Sequence, residues 1–238
     1  MLSGFRSRRR ADARKRRERR LSMEPLETRM LMSATQYQQP VDASPQEQYM
    51  LELVNRMRMD PAAEFSKLTN SGDSDVDDAI SYFKVGIKPT DLLAKQWKLL
   101  KPVGPLAWSN ARGQAAESHS KAMLQHDTQF HSGYGGENAY AYADSVFYGH
   151  AGFAIDWDGD PSKGIYKPGG ILPGHQHRDN IMDATSRQVG IGIVKSTAGK
   201  STGPLLITQQ FAGSSSYFVT GVAYNDVVKK NNFYDVGE

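Results

Sequence analysis

Apolar residues recur with a helical period early in the chain. Four of them have the spacing i, i+3, i+4 and i+7 that marks one buried helix face: Met50, Leu53, Val54 and Met57. Ser44 can cap this helix, Pro45 suits its first position, and Glu47 lies three residues after the serine. The pattern therefore predicts a helix from residue 45 that ends before Asp60, where a second helix starts.

Later segments give a further helix and two strands. A helical face of small and apolar residues runs from a cap at Ser109 to about Gln125, and His119 on it is interpreted as a packed core residue. Residues 189–194 and 205–211 have the composition of strands and flank a polar loop. Helices followed by a hairpin that closes an antiparallel sheet predict an α+β sandwich rather than a parallel βαβ fold.

Composition excludes several kinds of chemistry. The chain has 238 residues and no cysteine, which rules out disulfides, thiolate nucleophiles and cysteine metal ligands. Any metal must therefore be held by nitrogen and oxygen ligands. No uninterrupted apolar run approaches the roughly 20 residues that a membrane-spanning helix needs, so the sequence predicts no transmembrane segment.

The net charge of +3 combines two opposite regions. Residues 1–34 contain eleven Lys/Arg and four Asp/Glu, a balance of +7, whereas residues 35–238 contain eighteen and twenty-two, a balance of −4. The arginine-rich arm fits a targeting leader, an inert solvated arm or a phosphate-binding segment. The acidic balance of the rest of the chain argues against nucleic-acid binding.

Two polar clusters carry the candidate chemistry. His131 and Glu137 flank a glycine-rich loop, and His175 and His177 follow about forty residues later. Neutral imidazoles and a carboxylate are ligands that zinc prefers, and they also suit general acid-base catalysis. The glycines permit a backbone that turns both side chains of the first cluster toward one point, although an ordinary glycine-rich loop with a surface histidine has the same composition.

Five sequence blocks, in order, resemble the CAP superfamily of cysteine-rich secretory, antigen 5 and pathogenesis-related proteins, and in particular its bacterial secreted branch. The blocks are residues 53–63, 106–123, 131–138, 177–192 and 207–211. The third contains a His-Ser…Gly-Glu-Asn motif, and the fourth a His-Arg-x-Asn-Ile motif followed by Val-Gly. The resemblance implies an α-β-α sandwich with a central antiparallel sheet and a cleft lined by two histidines and two acidic residues.

The resemblance assigns three of these four cleft positions by motif. His131 matches the first histidine, Glu137 the first acid and His177 the second histidine, with His175 as a possible substitute for His177. These residues are the expected ligands of a divalent metal such as Zn²⁺, and they are also the candidates for catalysis.

This sequence departs from the family pattern at the second acid. The stretch that should contain it, residues 153–160, offers aspartates and no glutamate, and Asp158 is the candidate. The amides of Asn138 and Asn180 are expected to orient the imidazole rings. The cysteine-containing extension of eukaryotic members does not carry over.

The two ends of the chain resemble other known segments. Residues 23–34 resemble a leader found in many large extracellular proteins of planctomycete-type bacteria, which implies export. The sequence thus divides into a basic leader and linker (1–43), a CAP-like domain (44–213) and a tail (214–238). The tail resembles the start of a repeat module, and it is predicted to be either a β-rich tail that forms a closing hairpin or the start of a truncated module.

The combined prediction is an exported, extracellular or cell-surface protein whose cleft binds a divalent metal or a small ligand. It is expected to act as a non-catalytic module, with a small ligand or a cell-surface component as its partner. A metal-dependent hydrolase that uses the same cleft is the first alternative. Nucleic-acid binding through the arginine arm is the second.

Overall fold

The computed structural model describes residues 43–238. The helices are α1 (Pro45–Met59), α2 (Pro61–Thr69), α3 (Ser74–Tyr82), α4 (Leu92–Trp97), α5 (Asn110–His126), α6 (Val146–Ile155) and α7 (Gln176–Met182). The strands are β1 (Ala107–Trp108), β2 (Glu137–Ala143), β3 (Trp157–Asp160), β4 (Ile165–Ile171), β5 (Ser186–Lys195) and β6 (Leu205–Gly213). Within this part of the chain no helix combines the length and apolarity needed to cross a membrane. The predicted leader and its arginine arm lie outside the described residues.

The first helix begins where its capping signals predict. The Ser44 hydroxyl accepts the Glu47 N–H at 3.4 Å, and the Glu47 carboxylate accepts the Ser44 N–H at 2.8 Å. This reciprocal pair satisfies two of the N–H groups that a helix start leaves without partners. The apolar face of the helix is fully buried, which confirms the predicted periodicity.

The central sheet is mixed rather than purely antiparallel. Its strand order is β1-β5-β6-β2; β6 is antiparallel to both β5 and β2, and β1 is parallel to β5. The three long strands are thus antiparallel as predicted, and the short β1 makes the sheet mixed. The exception, β1, is a two-residue strand that leads directly into α5, and α5 packs on β5 and β6.

Helices cover both faces of the sheet. On β5, Gly190 and Gly192 face α5 so closely that a Cβ at Gly192 would lie 2.1 Å from the backbone nitrogen of Glu117. The alternate residues Val189 and Ile191 point the other way and belong to the core that includes α1. The predicted α-β-α sandwich is therefore confirmed, with glycines allowing the close approach of α5.

The tail, residues 214–238, contains no strand, so the prediction of a β-rich tail is wrong. Nearby side chains bond some of its backbone N–H groups instead. The carboxylate of Asp226 accepts the N–H groups of Asn231 at 3.0 Å and Asn232 at 2.9 Å. Side chains that bond nearby N–H groups compete with a sheet ladder. Phe233 then packs edge-on against Tyr49 of α1 at 6.1 Å.

Candidate functional site

The candidate site is built on β2, an edge strand of the central sheet. Successive side chains of a strand point to opposite faces, and the first two residues of β2 do so. Glu137 faces α5, where its Oε2 lies 3.8 Å from Nδ1 of His119. Asn138 faces α7 and donates to the carbonyl oxygen of His177 at 3.1 Å. The two predicted clusters therefore meet at one end of this strand, on its two faces.

The first imidazole–carboxylate pair lies on the α5 face. His131 Nδ1 is 3.3 Å from Oε1 of Glu137, and the histidine is largely exposed while the carboxylate is buried. Glu137 also accepts the N–H of Ser132 at 2.8 Å, the hydroxyl of Ser132, and the amide of Gln210 at 2.9 Å. Burial raises the pKa of Glu137, but these bonds and nearby His119 hold it below its usual value. The carboxylate is thus ionised, and its oxygens already have partners.

His119 extends this first pair into the interior. Its Nδ1 lies 3.1 Å from the hydroxyl of Thr208, and its ring packs edge-on against Phe130 at 5.0 Å. Burial lowers the pKa of His119, against the opposing influence of Glu137, so the ring is neutral at pH 7. The sequence interpretation of a packed core histidine describes its burial but misses its proximity to Glu137.

The second pair lies on the opposite face and uses an aspartate that the sequence did not single out. His177 Nδ1 is 2.6 Å from Oδ1 of Asp156, whose Oδ2 accepts the N–H of Arg178 at 3.1 Å. Asp158, the predicted fourth residue, instead has its Oδ2 3.7 Å from Nζ of Lys167. Asp156, and not the predicted Asp158, is therefore the acid that contacts His177.

A local conformation explains why Asp156 holds this position. It ends α6 with φ of +60°, in the left-handed region that aspartate tolerates better than most residues. This turn directs a fully buried carboxylate back toward the start of α7. The available sequence signal was an aspartate immediately after a strongly apolar helix.

The remaining predicted residues fix α7 on β2 or lie outside the site. Asn180 donates to Oδ1 of Asn138 at 2.8 Å and to the carbonyl of Glu137 at 3.3 Å. His175 pairs with Asp179 at 2.8 Å on the exposed surface. The two asparagines therefore connect the faces, and His175 stays apart from both imidazole–acid pairs.

A cavity of about 870 Å³ adjoins this end of β2, and His177 and Asp156 form part of its wall. His131, Glu137 and His175 do not line it. Aromatic residues are the largest group in the wall: Tyr82, Phe83, Tyr140, Tyr142, Tyr148, Phe153 and Trp157. The structure thus brings the two pairs to one strand but places only the second pair in the cavity. No sequence pattern had indicated this aromatic wall.

The two pairs offer little to a metal ion as they stand. Both carboxylates are engaged by protein donors, which leaves Nε2 of His131 and Nε2 of His177 as the free ligand atoms. Within residues 43–238 no group of three or more His, Asp or Glu is arranged to hold a metal. Catalytic zinc sites use three protein ligands. The arrangement does not fit such a site, and the zinc prediction stays a prediction.

Comparison with known proteins agrees with the order of the motifs and with the fold. The model of the cysteine-rich secretory protein (CAP) family matches residues 51–219, well over half of the chain. No curated protein sequence matches the chain. The matched range includes both imidazole–acid pairs and the sheet between them. The chain therefore belongs to the CAP family, although it has no cysteine.

Proposed function

We propose that this CAP domain is a non-catalytic module that binds a small organic ligand in the cavity beside His177. The cavity carries the proposal. Its volume of about 870 Å³ lies within the range of sites for drug-sized molecules, which are apolar clefts with a few convergent polar groups. Here the polar groups are the imidazole of His177, the amide of Gln129 and several carboxylates.

The aromatic wall supports binding because its rings hold one another in place. Tyr140 and Tyr148 stack at 6.2 Å with 9° between their planes, Tyr148 packs on Trp157 at 5.0 Å, and Phe83 stacks on Trp157 at 6.1 Å. Burial raises the pKa of Tyr140 and of Tyr148, so both phenols stay neutral. A preformed wall avoids the entropic cost of ordering side chains around a ligand.

His177 supplies an oriented polar contact. Asp156 occupies Nδ1 of the ring and thereby favours the tautomer that carries its proton there. Nε2 is then a hydrogen-bond acceptor available to a ligand hydroxyl or amine in the cavity. Because Asp156 is fully buried and also accepts the Arg178 N–H, the ring orientation is set by the fold rather than by the ligand.

The hydrolase alternative has weaker support. Ser132 donates its hydroxyl to Glu137 on the other face of the strand, and among the described residues no serine or threonine hydroxyl contacts His177. These contacts offer no nucleophile for a covalent mechanism. A metal-dependent hydrolase needs ligands for the metal that activates water, and residues 43–238 contain no group of three or more His, Asp or Glu arranged to hold one. Export to an extracellular or cell-surface location is part of our proposal, and the leader-like residues 23–34 support it.

Filling the cavity is expected to abolish ligand binding. Leu172 lies on the cavity wall, so Leu172→Trp would put an indole into the space that a ligand needs. Saturation-transfer NMR with a fragment collection should give binders whose affinity falls at least about tenfold in Leu172→Trp. Leu99→Trp is the matched control, because Leu99 is 77 % exposed and outside the cavity. Fragments that bind Leu172→Trp as well as the native protein would contradict the proposal.

Zinc is expected to raise the melting temperature of the protein only slightly. Two free imidazole nitrogens on opposite faces of β2 predict a rise in melting temperature of about 1–2 °C at saturating zinc, removed by His131→Ala with His177→Ala. A far larger rise that depends on both histidines would mean that the carboxylates rearrange into a true metal site. Differential scanning fluorimetry with and without a chelator measures the difference.

A further inference from the structure

The charge of the cavity wall is one-sided. Three carboxylates line it, those of Asp156, Asp158 and Asp160, and no lysine or arginine does. A wall of this kind repels anions such as fatty acids and phosphorylated molecules. The class of ligand that the cavity prefers depends on how much of this negative charge the surrounding residues neutralise.

The three carboxylates differ in their partners. Asp156 is engaged by His177 and Arg178, and Asp160 forms an ion pair with Lys163 at 2.6 Å. Asp158 is partly exposed and forms a longer ion pair with Lys167, whose Nζ lies 3.7 Å from its Oδ2. Lys167 is itself exposed, so solvent screens this pair and a ligand cation can compete with the lysine for the carboxylate.

Further negative charge lies toward Tyr148. Burial raises the pKa of Tyr148, and the carboxylates of Asp144 and Asp75 raise it further. Neither Asp144 nor Asp75 forms an ion pair with any residue that the structure describes. Together with Asp158 on the cavity wall, these two carboxylates add negative charge on the side of the cavity where Tyr148 lies.

The aromatic faces add to this preference. The π-face of an aromatic ring carries partial negative charge and attracts ammonium groups, most strongly for tryptophan and tyrosine. Trp157 and Tyr148 lie 5.0 Å apart at a tilt of 53°, so they form two sides of a corner rather than a flat stack. Half-exposed Tyr142 lines the same cavity.

We propose that the ligand of this cavity is an organic cation, a quaternary or alkylated ammonium compound whose charged group lies among the aromatic rings near Asp158. The inference rests on the proposed function, since it assigns a ligand class to the same cavity. A neutral molecule of the same shape would gain the apolar contacts but neither the attraction of the carboxylates nor that of the ring faces.

A matched pair of probes isolates the charge. Choline and its neutral carbon isostere, in which a tert-butyl group replaces trimethylammonium, have the same shape. We expect choline to bind about tenfold more tightly than the isostere, measured by quenching of tryptophan fluorescence. In Trp157→Phe the quenching should disappear, because Trp97 and Trp108 do not line the cavity.

A substitution of Asp158 tests whether the charged group of the ligand lies near this carboxylate. Asp158→Asn keeps an oxygen that can accept the Gly159 N–H, which the native side chain accepts at 2.7 Å, so the turn should persist. This variant should lower the affinity for choline about three- to tenfold and leave the affinity for the neutral isostere unchanged. Glu117→Gln is the control: it removes the same charge from α5, where Glu117 pairs with Lys121, and should change neither affinity.

The outcomes separate this inference from the proposed function. If choline and its isostere bind equally, or if Asp158→Asn has no effect on choline, the cationic class is wrong. If neither probe binds while fragments sensitive to Leu172→Trp do, the cavity binds ligands of another class, and only this inference fails. If no compound binds at all, both fail together.

Discussion

Replacing Arg58 with methionine is expected to lower the free energy of unfolding by about 4 kcal/mol and to loosen the helix that carries His177. The guanidinium of Arg58 is buried and donates to main-chain carbonyls far away in sequence. It bonds Gly104 at 2.8 Å, Asp183 at 3.0 Å and Ser186 at 3.3 Å, and it also bonds Ile181. Methionine has a similar stem but cannot donate to these carbonyls. The carbonyl of Asp183 keeps the N–H of Ser186 at 3.3 Å, but any buried acceptor that is left unpaired is costly.

The effect should reach the site because two of these carbonyls, those of Ile181 and Asp183, lie in the last turn and the C-cap of α7. The last carbonyls of a helix have no partner within it, and for Ile181 and Asp183 a side chain of α1 supplies one. Burial lowers the pKa of Arg58 to about 10, so the group is still charged at neutral pH. Without it, α7 should open more often and carry His177 away from Asp156.

Urea unfolding and amide hydrogen exchange measure the two parts of this prediction. Arg187→Met is the matched control, since Arg187 is exposed on β5 and should cost less than about 0.5 kcal/mol. Exchange of the α7 amides should accelerate in Arg58→Met only. Equal stability of the two variants would show that the buried guanidinium does not hold the helix.

Arg58 also illustrates what the sequence cannot indicate. The sequence predicts that Arg58 lies in α1 and that Ser44 caps this helix. It also predicts the strands β5 and β6, because each of these features depends on residues that are close together in the chain. The burial of Arg58 depends instead on carbonyls 46 to 128 positions away. No periodicity along α1 distinguishes it from a surface arginine.

The candidate site likewise has features that depend on nearby residues and features that depend on distant ones. His131 and Glu137 are six residues apart, so a glycine-rich loop alone can bring them together, and the sequence predicted that pair. Asp156 contacts His177 only because α6 ends in a left-handed turn. The aromatic cavity draws its residues from several elements, and Tyr148 and Trp157 follow no common pattern. Long-range packing decides these features, and the order of the residues alone did not reveal them.

The buried carboxylate of Glu64 predicts a marked loss of stability in acid. It accepts Arg56 Nε at 2.5 Å, Arg56 Nη2 at 2.9 Å and His150 Nε2 at 2.9 Å, with no exposure of its own side chain. Burial alone would raise the pKa of Glu64, but the bonds and charges of Arg56 and His150 outweigh it and lower the pKa to about 2. The three residues belong to α1, α2 and α6, so this network joins three helices of the core.

The direction of the pH dependence follows from this shift. Because the pKa is lower in the folded state than the ordinary 4.5, the carboxylate stabilises the fold above pH 4.5, and its contribution is lost as the pH falls toward 2. The loss should be about 3 kcal/mol between about pH 5 and about pH 2. Other carboxylates, including that of Glu137, add to the acid sensitivity in the same direction.

Comparison with Glu64→Gln isolates the share of this one group. At about pH 5 the variant should already be about 3 kcal/mol less stable in urea unfolding, because glutamine leaves the buried charge of Arg56 without its partner. Toward about pH 2 the two proteins should converge, since native Glu64 is then about half protonated and has lost most of its contribution to stability. Glu117→Gln, on the surface of α5, should follow the native curve throughout. Parallel curves for native protein and Glu64→Gln would mean that Glu64 titrates at its ordinary pKa, which the short contacts to Arg56 and His150 argue against.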